Sequence, residues 1–402
     1  MKNTLSNLYK EAKKNYEIIE NTYKILEDSY ELKIPIHSAG MWLLDNMYII
    51  KEEYMAIKED LKSIKNMKLP VIKDHEGRKY ISIFFLAYEL VEKNTGFLDQ
   101  NIISNCLKDY QKLSYLSSEE LDLFVLMLKI ALLKFIARIC LNIANSQIKK
   151  IQVEQILSKG FANSTFFSRK IINEVKYFDN FREYMVDTSK IKNTNTAFVE
   201  YMSYRLKELG AKGEEFFDLL KEEASKIGFT IDEAIVKEHM EIAKTTDYIG
   251  RSILSYKRLS GLNFREIFEK VNKIDETLKN EFTGEFKKCD YKTKDRYRKY
   301  IIKLSKKYNL SEVYIAKKAV ECSIKYKKHV GFFLIGDDKY LLKKELNKPY
   351  LSDILNLKLL RPLKPFLYIV SILTLAFLFT YYTSLLVRDT NIYIKVLLYI
   401  IL

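Results

Sequence analysis

The chain has 402 residues, 67 Lys and Arg against 52 Asp and Glu, and a net charge of +15. With 48% apolar residues it can bury a sizeable core, and 12 glycines and 5 prolines are too few turn-makers for many short strands, which excludes an all-β fold and points to long helices. The basic balance leaves two readings open: anionic partners, or the Lys-, Ile-, Asn- and Tyr-rich usage of an AT-rich genome.

The opening MKNTLSNLYKEAKKNYEIIE is charged throughout and has no apolar h-region. It does not read as a signal peptide, and the bulk of the chain is expected in the cytoplasm. Leu8, Ala12, Tyr16, Ile19, Tyr23, Leu26 and Tyr30 recur at three- and four-residue steps, predicting a helix over 4–31 that Pro35 ends. A second helix carries MWLLDNMYIIKEEYMAIKEDLKSI, and KLPVIKDHEGRKY (68–80) reads as a loop punctuated by Pro70 and Gly77. Helices follow near 80–94, 99–114 and 118–145. The last contains LDLFVLMLKIALLKFIARICLNI (Leu121–Ile143), which imitates a membrane span. Lys129, Lys134 and Arg138 argue against that, because each costs roughly 2.5–3.5 kcal/mol at a bilayer centre. With a capping box of Ser117 and Glu120 in front of it, this run reads as the central buried helix of a soluble bundle.

A looser stretch extends to about residue 190. NTNTAFVEYMSYRLKELG then predicts a helix ended by Gly210, and Thr230 with Glu233 forms a capping box that opens another. Helices near 231–256, 263–281, 294–308 and 311–327 complete this part. HVGFFLIGDDKYLLKKEL (His329–Leu346) reads as a short hairpin around Gly336–Asp338.

The segment CDYKTKDRYRKYIIKL (Cys289–Leu304) raises the question of nucleic-acid binding. On a helical wheel Tyr297, Tyr300, Ile301, Leu304 and Tyr308 share one arc, and Arg296, Lys299, Lys303, Lys306 and Lys307 share another, with Asp295 and Lys299 as an i,i+4 pair. Single-strand binders need aromatics and cations on one surface. The tyrosines are therefore expected to pack inward, the cations to face water, and no nucleic acid is expected as a partner. From Gly284 to Val330 there are 15 Lys and Arg against 5 Asp and Glu. Lys292, Lys294, Arg296, Lys299, Lys303, Lys306 and Lys307 are the candidate contacts to an anionic surface, each worth about 1 kcal/mol near charged headgroups.

FLYIVSILTLAFLFTYYTSLLV (Phe366–Val387) carries no charge and is about 33 Å long as a helix, enough to span a hydrocarbon core. Tyr368 sits near one end and Tyr381 and Tyr382 near the other, and Lys358, Arg361 and Lys364 precede it. The positive-inside rule then places residues 1–364 in the cytoplasm. A second apolar run from Ile392 to Leu402 is too short to cross, which suggests a fragment of a longer protein. The expected organisation is an all-α chain: helical bundle or bundles followed by a transmembrane helix and the start of a second. Its parts are an N-terminal helical domain (1–150), a strongly basic helical domain (151–345) and a membrane-proximal segment (346–402).

The search for chemistry is short. Cys106, Cys140, Cys289 and Cys322, and His37, His75, His239 and His329, are scattered, so spacing points to neither a disulfide framework nor a zinc site. No phosphate loop, nucleophile elbow, HExxH or kinase signature occurs. Glu52–Glu53, Glu119–Glu120 and Glu222–Glu223 read as solvated charge, and GDDKY (Gly336–Tyr340) as a turn. No catalytic, cofactor-binding or metal residue is assigned.

Three blocks resemble the N-terminal region of the bacterial cyclic β-1,2-glucan synthases. HSAGMWLLDNMYIIKEEY (His37–Tyr54) is similar to that family's WLLDN signature, carried by Trp42, Asp45 and Asn46. Residues 80–133 are similar to its pattern of a helix, a G-x-LD turn and a long apolar helix. SILSYKRLSGLNFREIFEKVNKIDETL (Ser252–Leu278) continues into the DRYR block at Asp295, Arg296, Tyr297 and Arg298 and the phrase HVGFFLI. Phe264 stands where the family usually has Trp, and Lys294 where it has Arg. The resemblance implies a scaffolding region ahead of a membrane glycosyltransferase domain, present in cis or in trans, with the membrane as the other partner. UDP-glucose and a divalent metal would belong to that transferase domain. No DxD occurs here and Trp42 is the single tryptophan, so the family's catalytic residues have no counterparts in this chain.

Overall fold

The computed structural model describes residues 2–64, 67, 69–73, 79–158, 196–226, 230–348, 361–386, 393 and 396. Among these the fold is all-α apart from one small hairpin. The chain forms two compact units, Met1–Phe268 and Glu269–Leu402.

The first unit contains α1 (Lys2–Glu31), α2 (Ser38–Ser63), α3 (Ser82–Lys93), α4 (Gln100–Leu113), α5 (Ser118–Ser158), α6 (Thr196–Glu208), α7 (Ala211–Lys226) and α8 (Ile231–Gly261). The loop expected at 68–80 holds the hairpin. β1 (Val71–Lys73) runs antiparallel to β2 (Lys79–Ile81), with Val71 opposite Ile81. Its strands are three residues each, too short for period-two patterning to show, and the Pro70 carbonyl accepts from the Ser82 N–H at 3.0 Å to hand the chain to α3.

Helix α5 is the axis of this unit. It packs against α1, α2, α3, α6 and α8, and Phe124, Met127, Leu128, Ile130, Leu132 and Leu133 are fully buried. A helix apolar on nearly every side is a buried helix. Three of its cations each meet a carboxylate from a different neighbour: Lys129 and Glu53 of α2 at 2.8 Å, Lys134 and Glu11 of α1 at 2.6 Å, Arg138 and Glu92 of α3 at 2.8 Å. The helix opens with the expected capping box: the Glu120 N–H donates to Ser117 Oγ and the Ser117 N–H to Glu120 Oε2. At 41 residues it is about 60 Å long and runs through residues 145 and 150 without a break. Residues 159–195, the looser stretch, lie outside the described residues. Helix α8 opens on the Thr230–Glu233 capping box.

The single helix expected over 263–281 is two. α9 (Phe264–Val271) carries the border between the units, and α10 (Lys273–Leu278) starts afresh at Asn272, whose Oδ1 accepts from the Ile274 N–H at 2.9 Å. A 3-10 turn (Glu285–Lys288), α11 (Tyr291–Tyr308), α12 (Glu312–Tyr326), α13 (Gly331–Leu334) and α14 (Lys339–Glu345) follow. The hairpin expected around Gly336–Asp338 is absent: these residues join α13 to α14. The Gly336 N–H donates to the Gly331 carbonyl at 2.9 Å, and a Cβ there would collide with the Phe332 backbone. Gly336 therefore closes a helix instead of turning a strand pair. Ile274, Leu278, Phe286, Tyr297, Ile301, Ile315, Ala319, Phe333 and Leu342 form this unit's core.

α15 (Arg361–Leu386) holds one candidate membrane span, Pro365–Tyr382, with a mean hydropathy of 1.7 and none of it buried in protein. A large uncovered apolar surface marks a membrane or partner contact, so α15 is a candidate span by length and composition. The flanking Lys358 and most of the second apolar run lie outside the described residues.

Gly96 has φ +82°, and a Cβ there would collide with Ser252 Oγ of α8. Gly210 has φ +58° with open space around it. Gly96→Ala is expected to destabilise the chain by about 2–4 kcal/mol and Gly210→Ala by about 1 kcal/mol, strain alone accounting for the second. Urea unfolding of the two variants side by side checks the difference.

Candidate functional site

The blocks that resemble the glucan synthase family lie far apart in sequence and meet around α8. The Trp42 indole lies over Gly250, within 3.6 Å of where a Cβ would stand. The turn at Gly96 abuts Ser252, the Leu98 N–H donates to Ser255 Oγ at 2.8 Å, and the Tyr256 hydroxyl donates to the Lys129 carbonyl at 2.9 Å. Ser260 Oγ donates to Glu53 at 3.1 Å. Asn46 donates within its own helix to the Trp42 carbonyl at 2.9 Å, and Asp45 is exposed.

The second unit repeats the pattern. Arg298 and Asp275 form a buried two-pronged pair at 2.9 and 2.7 Å, with Glu269 3.8 Å from the same guanidinium. Glu281 is a further buried charge. It accepts from Thr283 Oγ1 at 2.7 Å and from the backbone N–H of Phe286 and Val330 at 2.9 and 3.0 Å. His329 Nδ1 lies 3.0 Å from it, and because an ionised carboxylate only accepts, Nδ1 carries the proton. The ring's Nε2 lies 3.0 Å from the Tyr297 hydroxyl, within hydrogen-bond reach. A Cβ on Gly331 would collide with that hydroxyl, which accounts for a glycine after His329 and Val330. DRYR and HVGFFLI are thus two halves of one contact. Burial by itself would raise the Glu281 carboxyl; its four donors outweigh burial and hold it down at about 2.

The cations of α11 divide. Lys292, Arg296, Lys299, Lys303, Lys306 and Lys307 are exposed, whereas Lys294 is half-buried and 3.7 Å from Glu269. Lys299 is paired with Asp295 at 2.7 Å. On the opposite face Tyr297, Ile301 and Leu304 are buried and Tyr300 and Tyr308 pack against the core.

A polar cavity of about 350 Å³ opens in the first unit. Its wall comes from α1 (Leu26), the start of α2 (His37, Gly40), α5 (Asn142, Ser146, Gln147), the start of α6 (Thr196) and α8 (Glu238, Glu241, Thr245). Glu238 is buried and accepts from Ser146 Oγ and Thr196 Oγ1, both at 2.9 Å. Behind it the buried Lys150 donates to the Pro35 carbonyl at 3.0 Å and approaches His37 Nδ1 at 3.3 Å. Burial pushes the Lys150 ammonium down to about 8, against the pull of Glu200 and Glu238. Burial, with Lys150 and His239 beside it, pushes His37 down to about 3, so its ring is neutral at pH 7. Burial pushes the Glu200 carboxyl up.

Sequence reasoning singled out none of the polar groups in and behind this cavity as a set. His37, Lys150, Glu200, Glu238 and His239 lie on four helices, with Lys150 inside a lysine pair and Glu238 in a charged run. No spacing rule links them. Glu281 was equally hidden, since its donors come from residues up to 49 positions away. Among the described residues no group of three or more His, Cys, Asp or Glu is placed to hold a metal ion. Burial raises the Cys322 thiol to about 11, which makes it a poor nucleophile. Glu222 and Glu223 lie outside the described side chains.

No protein-family model matches the chain. It is 20% identical over 322 residues to the cyclic β-(1,2)-glucan synthase NdvB of Rhizobium meliloti. That alignment covers 77% of this chain and 11% of that protein, so the chain matches about a tenth of its relative's length. The similarity supports a distant relationship to this protein.

Glu281 makes a stability prediction with a definite sign. Its carboxyl titrates near 2 when folded and at about 4.3 when unfolded. Its contribution is therefore complete above pH ~4.3 and disappears as pH falls toward 2. Unfolding monitored between pH 5 and pH 2 (roughly that window) should show a steep acid limb that Glu281→Gln flattens. Arg298→Leu should cost about 3–5 kcal/mol at neutral pH, because it strands Asp275 in the core.

Proposed function

We propose that this chain is a membrane-tethered helical region that positions the transferase domain of a glycosyltransferase of the cyclic β-1,2-glucan synthase kind, and transfers no sugar by itself. One observation carries the reading. The alignment to the Rhizobium meliloti synthase covers 77% of the chain, more than either compact unit spans alone, so the likeness reaches into both. The uncovered apolar helix α15 supports a membrane location, and the positive-inside rule would put residues 1–364 on the cytoplasmic side. In this reading UDP-glucose and a divalent metal bind the transferase domain, in cis or in trans, and this chain contributes the frame.

Deletion of residues 1–348 in the native host tests it. Membranes supplied with radiolabelled UDP-glucose should lose labelled β-1,2-glucan by at least about tenfold, equivalent to 1.4 kcal/mol of effective barrier. Undiminished labelling would overturn the proposal.

The exposed cations of α11 favour a second reading, an adaptor resting on anionic lipid headgroups. With the full chain in nanodiscs, amine-reactive labelling of Lys303, Lys306 and Lys307 should fall when phosphatidylcholine is replaced by phosphatidylserine, and recover in high salt. Equal labelling in both lipids removes this reading.

A further inference from the structure

The cavity of the first unit falls in the range of small-molecule sites, about 300–1,000 Å³. We propose that it binds a neutral, polyhydroxylated small molecule. The proposal rests on the chemistry of the wall and stands independently of the function proposed above.

Charge is the first argument. Glu238 on the floor is matched by Lys150 behind it, and Lys237 and Glu241 at the exposed lip carry opposite signs. A buried carboxylate repels an anionic ligand, and the nearby Lys150 charge that it already feels reduces the incentive to take up a second cation. A neutral ligand leaves that balance undisturbed.

The hydrogen-bonding groups point the same way. Ser146 and Thr196 spend their protons on Glu238, so both oxygens are left as acceptors. The side chain of Asn142 offers donor and acceptor together. A hydroxyl group is donor and acceptor at once, and a polyol presents several side by side. The apolar remainder of the wall, Leu26, Ile143 and Ile242, suits the C–H surface of such a molecule.

The chain's single tryptophan supplies the readout, because Trp42 lies on α2 two residues beyond the cavity-lining Gly40. Glucose and myo-inositol are titrated into the detergent-solubilised full chain, followed by Trp42 fluorescence and by calorimetry, with inorganic phosphate and magnesium chloride titrated in parallel. The expected result is saturation by at least one polyol and by neither salt. Ile242→Phe, which fills the cavity, and Thr245→Val, which removes a hydroxyl, should each weaken it at least about tenfold. Circular dichroism checks that each variant is folded, and Asn142→Leu at the exposed edge replaces any that is not. Absence of saturation by both polyols, unchanged affinity in the folded variants, or saturation by phosphate or magnesium instead would overturn the proposal.

Discussion

Lys129, Lys134 and Arg138 enter the centre of the first unit on its central helix, and each is met by a carboxylate from a different neighbour. The pairing constrains everything around it. The three cations sit four to five residues apart, so they emerge at successive heights and rotations along α5. Glu53, Glu11 and Glu92 must arrive at those places, which fixes how far α2, α1 and α3 slide along α5. All three pairs keep partial contact with solvent, so each adds modestly to stability. Their larger effect is on register: a slip of one turn would leave a cation facing hydrocarbon. Lys134 also lies over the Tyr88 ring at 4.6 Å, which gives its charge a second favourable surface.

The second unit solves a related problem with buried charge. Arg298 and Asp275 satisfy one another through two parallel hydrogen bonds, and Glu281 collects donors from its own turn and from the far side of α12. A carboxylate so saturated ties the loop after α10 to the start of α13. The Tyr297–His329 contact extends the tie to α11. This unit is small and has many lysines, and its apolar core alone leaves these connecting segments undefined. The polar network supplies the definition.

The resemblance to the glucan synthases gains physical content from these contacts. Its phrases are the sequence stretches that touch: Trp42 on Gly250, the Gly96 turn on Ser252, DRYR on HVGFFLI through Tyr297 and His329. Most serve packing. The polar cavity is different. Buried Glu238 lines it and buried Lys150 lies behind, where apolar packing would be more stable, and packing alone gives no reason for that.

The sequence by itself determined the helical fold, because 3.6-residue periodicity, two capping boxes and scarce glycine and proline are local signals that need no partner. It determined the inward tyrosines of α11, since the wheel separates them from the cations whatever packs there, and it distinguished the buried α5 from the candidate span in α15 by three charges. Only the tertiary structure decided the rest. The hairpin at 71–81 is too short for alternation to register. The break at Asn272 depends on a side-chain cap that competes with continuing the helix. Gly336 has the composition of a turn, and its surroundings made it a helix stop. Which carboxylate meets which cation, and the gathering of His37, Lys150, Glu200 and Glu238, depend on helices up to 200 residues apart being brought together. Local sequence carries periodicity and capping; it carries no record of which distant side chain fills the space across a helix interface.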